Sequence, residues 1–113
     1  MATLKDVTLL SEVEQLVLLA VLKLDEGGDA YAVPLRALIL KDTGIDLPRG
    51  SVYVTLERLE QKGLIHSTMT EPTAVKGGKS RRVFGLRPAG MTALRVATRA
   101  MQRMVAGTSL AKG

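Results

Sequence analysis

The chain has no cysteine, no tryptophan and one histidine, His66. Without cysteine there is no disulfide and no thiolate-held metal or cluster. A lone histidine with no carboxylate at ligand spacing cannot complete a zinc site, so no metal or cofactor is expected. Aromatic residues are almost absent too: Tyr31, Tyr53 and Phe84 are all there are. The core must therefore be aliphatic, with few rings to stack on bases or planar ligands. The longest apolar run, Leu16 to Leu22, is closed by Lys23 and falls far short of the ~20 residues that span a bilayer. The first residues lack the basic-then-apolar layout of a secretory leader, so a soluble, cytoplasmic protein without a membrane partner is expected. Nucleophile motifs are missing. Gly78-Lys79-Ser80 matches the tail of a phosphate-binding loop, but Thr73 stands where that loop needs its first glycine. An enzyme is not expected.

What is present is a lopsided charge. Residues 1–46 carry four Lys/Arg against eight Asp/Glu, whereas residues 47–113 carry twelve against three. Halves of net −4 and +9 suggest one face built for a polyanion. At 113 residues and 46% apolar, the chain has the size and composition of one small globular domain.

Hydrophobic periodicity then orders the elements. Ser11-Glu12-Val13-Glu14 is a capping box opening a helix to about Leu24. That helix is apolar nearly all round and must be covered on two sides, one by its own domain and the other most simply by a second subunit, with Leu16 and Leu19 in contact. A second helix is expected from Tyr31 to about Lys41, with Val33, Leu35, Leu38 and Ile39 inward and Pro34 confined to its first turn. Ile45-Asp46-Leu47 reads as a short strand. A third helix runs from Pro48, a favoured first residue, to Lys62 with Gly63 as its stop and Val52, Leu56 and Leu59 as its core stripe. Two strands, Leu64–Thr70 and Arg82–Leu86, flank a loop turning at Gly77-Gly78. A last helix follows Pro88 to about Val105, and residues 107–113 read as a loose tail.

Three helices followed by a hairpin with a basic tip have the layout of a winged helix. The expected class is thus α+β, mainly α: a winged helix-turn-helix over residues 1–87, a dimerisation helix over 88–106, then the tail. Opposite the core stripe of the third helix stand Gly50, Ser51, Val54, Arg58 and Gln61, with Thr55 and Lys62 on one flank. Arg, Gln, Ser and Thr are side chains that read base edges or hold phosphates, and an exposed Val suits a thymine methyl. Arg49 and Gly50 occupy the first turn, where free amides favour a phosphate. In the hairpin Lys76, Lys79, Arg81 and Arg82 crowd around two glycines with no acid among them. In the last helix Gly90, Leu94, Ala97, Met101 and Met104 recur at spacings of 4, 3, 4 and 3, a short seam that fits a dimer contact or packing on its own domain. Arg95, Arg99 and Arg103 form a basic stripe beside it, expected to face partner acids such as Asp6, Glu12 and Glu14.

The block from Gly50-Ser-Val-Tyr-Val-Thr-Leu-Glu-Arg-Leu-Glu-Gln-Lys-Gly-Leu-Ile65, together with Gly77-Gly-Lys-Ser-Arg-Arg-Val-Phe-Gly-Leu-Arg-Pro-Ala-Gly90, resembles the PadR family of bacterial transcriptional regulators. The resemblance covers roughly residues 9 to 105. It implies a repressor that binds duplex DNA at an inverted-repeat operator as a homodimer, with Ser51, Tyr53 and Thr55 on the DNA. By face sorting alone Tyr53 lies only at the edge of the exposed side. Some members of the family hold planar ligands between subunits, so a small-molecule effector at the dimer interface is a further implication. Departures are Ala30 before Tyr31 where glycine is usual, Pro34 in the second helix, Val54 at a position often polar, Phe84 in place of tyrosine, and no tryptophan for an effector. The alternative from a different class is a winged helix used as a protein-interaction or dimerisation module that does not bind DNA.

Overall fold

A computed structural model describes residues 9–70 and 80–112. In chain order these form α1 (Glu12–Leu24), α2 (Ala32–Thr43), α3 (Arg49–Gln61), β1 (Ile65–Met69), β2 (Arg82–Leu86), α4 (Pro88–Val105) and a closing 3-10 turn, Ser109–Lys112. The mainly helical α+β architecture expected from the periodicity is the one observed.

The capping box forms as its spacing requires: the Glu14 amide donates to Ser11 Oγ at 3.1 Å and the Ser11 amide donates to Glu14 Oε1 at 2.8 Å. Val17, Leu18, Ala20 and Val21 of α1 are buried, and this helix touches α2, α3, β2 and α4 alike. It is the hub of the domain.

Tyr31 is the N-cap of α2 rather than its first residue, and Pro34 sits in the first turn, where its missing amide has no intrahelical carbonyl to lose. Leu35 and Ile39 bury and Leu38 is half-buried, but Val33 is exposed. At 100° per residue Val33 lies about 200° from Leu35, so the two cannot share a face. Gly44 ends the helix in the left-handed region at φ 79°.

Residues 45–47 do not pair as a strand; the sheet has two strands, β1 and β2. The Arg36 side chain holds this segment instead: its Nε donates to the Leu47 carbonyl at 2.6 Å and its Nη2 to the Asp46 carboxylate at 3.0 Å. The sheet's outer reach comes from another place: the Phe84 amide donates to the Ala30 carbonyl at 2.8 Å.

The end of α3 is a Schellman turn: the Gly63 amide donates to Glu60 O and the Leu64 amide to Leu59 O, each at 3.0 Å, with Gly63 at φ 76°. The antiparallel register pairs Ile65 with Leu86, Ser67 with Phe84 and Met69 with Arg82. Ile65 and Phe84 therefore point into an otherwise aliphatic core.

Two expectations for the C-terminal part are corrected. Gly90 is not a seam residue. It is buried where α4 crosses the end of α3, and a methyl group on it would run into the Leu64 carbonyl oxygen, which already accepts from the Arg87 amide at 3.0 Å. The tail is also not structureless, because Gly107 turns at φ 82° and Ser109–Lys112 winds into the 3-10 turn.

Gly90→Ala is expected to destabilise the fold by about 3 kcal/mol, since its obstacle is backbone that cannot rotate away. Gly50→Ala, with nothing within 4 Å of the added carbon, should gain about 0.5 kcal/mol by restricting the unfolded chain. Urea unfolding of both variants checks the pair.

Candidate nucleic-acid interface

The helix α3 starts at Arg49, with Pro48 as its N-cap rather than its first residue and no side chain capping the first turn. The amides of Arg49 and Gly50 thus open outward at the positive end of the helix. Val52, Leu56 and Leu59 anchor one face in the core, which forces the opposite face out. Arg49, Gly50 and Arg58 are exposed and Ser51 is half-buried. Tyr53 and Val54 are 53% and 54% exposed, unusual for such side chains unless something else covers them. Tyr53, at the edge of the exposed side by periodicity alone, stands fully on it.

This exposed ridge separates two hollows. One, about 430 Å³, lies toward the start of α1 and is lined by Ser11, Val13, Ser51, Val54 and Arg58. The other, about 440 Å³, lies between α3, the start of α2 and the root of the hairpin. Tyr31, Tyr53 and Phe84, all the aromatic residues of the chain, line it together with Arg81 and Arg82. The Arg81 guanidinium stacks 4.8 Å from the Tyr31 ring and that of Arg82 lies 5.4 Å from Phe84. The α3 ridge and the hairpin root therefore face each other across one cleft. Glu57 also lines it, the one carboxylate to do so among the described residues.

Several expected site residues occupy different stations. Thr55 is only 5% exposed, because the N-terminal turn of α1 lies across that flank of α3; it supports the ridge instead of standing on it. Lys62 is also withdrawn, since its ammonium donates to Glu14 Oε2 at 2.7 Å. Glu14 is a buried carboxylate that needs a cation, and Lys62 at the end of α3 supplies it. Arg82 is bound to Glu60 and Ser67. Lys76 and Lys79 lie outside the described residues, so the basic cluster is seen at Arg81 and Arg82.

The expected dimer residues separate in the same way. Leu94 is buried in its own domain's core and Ala97 is half-buried, whereas Met101 and Met104 are 58% and 76% exposed. The first turns of α4 pack into the domain core, while Met101 lines a hollow shared with Gln15 of α1 and the closing 3-10 turn, and Met104 stands outward. Leu16 and Leu19 are half-buried beside Leu38 and Ile39 in a shallow apolar hollow between α1 and α2. Glu14, one of the acids assigned to a partner's arginine stripe, is already held by Lys62 within the chain, and Asp6 lies outside the described residues. His66 is exposed on β1, over Gly85, where an added Cβ would sit 2.7 Å from its Nε2.

The pairings of Glu14 and Glu60 were not legible from the sequence. The capping-box glutamate already had a role, and Glu60 was one polar residue of an amphipathic helix. The strand register that sets Ser67 and Arg82 on one side of the hairpin is the signal that could have exposed the second.

The order of three helices, a hairpin and a fourth helix, with its cleft-facing third helix, defines a winged-helix transcriptional regulator. The chain belongs to the PadR-like transcriptional regulator family, whose model matches residues 18–96. Solved structures agree on the fold. A PadR family transcription regulator from hypervirulent Clostridium difficile R20291 is 22% identical over 84% of this chain and 95% of that one, with a TM-score of 0.65. A transcriptional regulator from Clostridium thermocellum is 20% identical over 82% and 85%, TM-score 0.67. A PadR family regulator from Eggerthella lenta is 24% identical over 82% and 80%, TM-score 0.60. No curated protein matches the chain. Among the described residues no helix is long and apolar enough to cross a membrane.

Burial pushes the Glu14 carboxyl up, but hydrogen bonds from Lys62 and Ser11 and the Lys62 charge outweigh it, and its pKa falls below the ordinary 4.5. A carboxylate favoured in the folded state adds stability above its unfolded pKa and loses it as pH falls through the folded value. Glu14→Gln is thus expected to lower stability by about 1.5 kcal/mol at pH 7. The difference should shrink as pH falls below 4.5 and the native carboxyl takes up its proton in turn. Denaturant midpoints across that range check it.

Proposed function

We propose that this chain is a homodimeric repressor that binds duplex DNA at an inverted-repeat operator. The observation that carries the reading is the shared cleft of about 440 Å³, which the exposed ridge of α3, through Tyr53 and Val54, lines together with the cationic Arg81 and Arg82 of the hairpin. In this reading Arg49, Gly50 and Ser51 meet a phosphate at the start of α3. Val54 and Arg58 lie along base edges, Arg on guanine and Val on a thymine methyl. Tyr53 and Arg81 hold the backbone as it crosses the cleft, and Lys76 and Lys79 follow it into the neighbouring groove.

The second half of the proposal is two-fold pairing. Met101 and Met104 present an apolar strip on the outer turns of α4, and Leu16 and Leu19 present another near α2. Pairing would cover both strips and set two α3 ridges about one helical turn of DNA apart. An effector held there would meet methionine and leucine side chains, since the aromatic residues all line the cleft on the DNA side.

Titration of a labelled operator against salt tests the reading. About 6–10 phosphate contacts per dimer give a slope of log K on log salt of roughly −5 to −9, and a flat response with no duplex binding would leave the protein-interaction module as the better account. Arg58→Ala is expected to weaken specific binding by about 1–3 kcal/mol and random DNA much less, while Lys79→Ala weakens both alike. Met101→Asp combined with Met104→Asp should sediment as a monomer; an unchanged dimer would move the interface elsewhere.

A further inference from the structure

Arg81 and Arg82 are adjacent in sequence, and composition alone assigns both to phosphate. The structure gives them opposite surroundings. Arg82 Nε donates to Ser67 Oγ at 3.0 Å, its Nη2 donates to Glu60 Oε1, and the Ser67 hydroxyl donates to Glu60 Oε2 at 2.7 Å. The triangle is closed, with one corner on α3, one on β1 and one on β2. The guanidinium also lies against the Phe84 ring. Its charge is matched by a carboxylate that is itself partly buried. For Arg81, by contrast, no carboxylate partner is found among the described residues, and its contact is with the Tyr31 ring at the start of α2.

We infer that Arg82 is a positioning residue and not a phosphate ligand: with Glu60 and Ser67 it locks the root of the hairpin to the recognition helix and so fixes the wing's angle to the DNA. The inference deepens the DNA-binding reading and rests on it. Its physical basis is the mismatch between two jobs. A planar guanidinium that spans Ser67 and Glu60 while stacked on Phe84 uses the fork geometry that lysine lacks. A cation already paired with a carboxylate has little counterion to release on meeting DNA. The lock acts at the end of the strand pair nearest the connecting loop, where the Thr70 amide donates to the Arg81 carbonyl at 2.8 Å and Thr70 Oγ1 accepts from the Arg81 amide at 2.8 Å.

The test compares Arg81→Gln, Arg82→Gln, Arg82→Lys, Glu60→Gln and the Glu60→Gln/Arg82→Gln double variant with the native protein. DNA affinity is measured against salt, amide exchange is measured at Thr70 without DNA, and thermal unfolding confirms that each variant is folded. Arg81→Gln should flatten the salt slope by about 0.9 per protomer, the loss of one phosphate contact. Arg82→Gln should leave the slope unchanged while weakening binding roughly threefold to tenfold, the added cost of ordering a loosened wing. Arg82→Lys should behave like Arg82→Gln although it keeps the charge. Glu60→Gln should give a similar loss, with the double variant no weaker than the worse single one. Thr70 exchange should accelerate in the Arg82 and Glu60 variants.

A slope that falls in Arg82→Gln and is restored by lysine would make Arg82 a phosphate ligand and overturn the inference. Additive losses in the double variant, or unaltered Thr70 exchange, would overturn it as well. If the native protein bound no duplex, the DNA-binding reading would fail, and Thr70 exchange alone would still decide whether the lock exists.

Discussion

The structure depends on covering α1. A helix with apolar residues on nearly every side cannot stand at the surface, and burying one fully enclosed aliphatic side chain is worth about 1.5–3 kcal/mol. Here α2, α3, β2 and α4 all pack against it. The other elements take their places from this helix. Its first turn also reaches α3 through polar groups, since Glu14 caps α1 and holds Lys62 with the same carboxylate. The helix α3 is thus fixed to the hub at its C-terminal end by an ion pair and along its length by Val52, Leu56 and Leu59.

These constraints divide α3 into two halves with different duties. The C-terminal half is an anchor, with Lys62 bound to α1, Glu60 bound to the hairpin root, and Gly63 and Leu64 closing the turn beneath α4. The stretch from Arg49 to Arg58 holds most of the exposed side chains of the helix. In the proposed DNA-binding role such a division would serve α3, because a reading face needs side chains held in place by a rigid support. The collection of all three aromatic residues in the adjoining cleft follows the same logic. Tyr31 and Phe84 serve as platforms for Arg81 and Arg82, each guanidinium lying over its own ring.

Much of this was legible because it is periodic or punctuated. The capping box, the Val52/Leu56/Leu59 stripe, Gly63 as a stop and Pro88 as a start each have one local physical solution, and the elements fall within a residue or two of where those signals put them. The family block around α3 was legible for the same reason. What failed depended on neighbours that sequence does not reveal. Thr55 is polar and flanks the stripe, yet α1 covers it. Lys62 and Arg82 are cations in a basic half, yet each has a carboxylate waiting across the fold. Leu94 and Gly90 fit a heptad seam, but the first turns of α4 meet their own domain before any partner. Ile45–Leu47 looked like a strand, and an arginine side chain took the place of the missing sheet partner.

The central claim is that one contiguous face, made by the N-terminal half of α3 and the root of the hairpin, grips a duplex. Backbone amide chemical-shift mapping during titration with operator DNA measures this most directly. The account predicts that the largest shifts fall on residues 49–58 and 80–82, with little change along the outer turns of α4. Shifts centred on the α1–α2 hollow or on α4, with α3 silent, would contradict it.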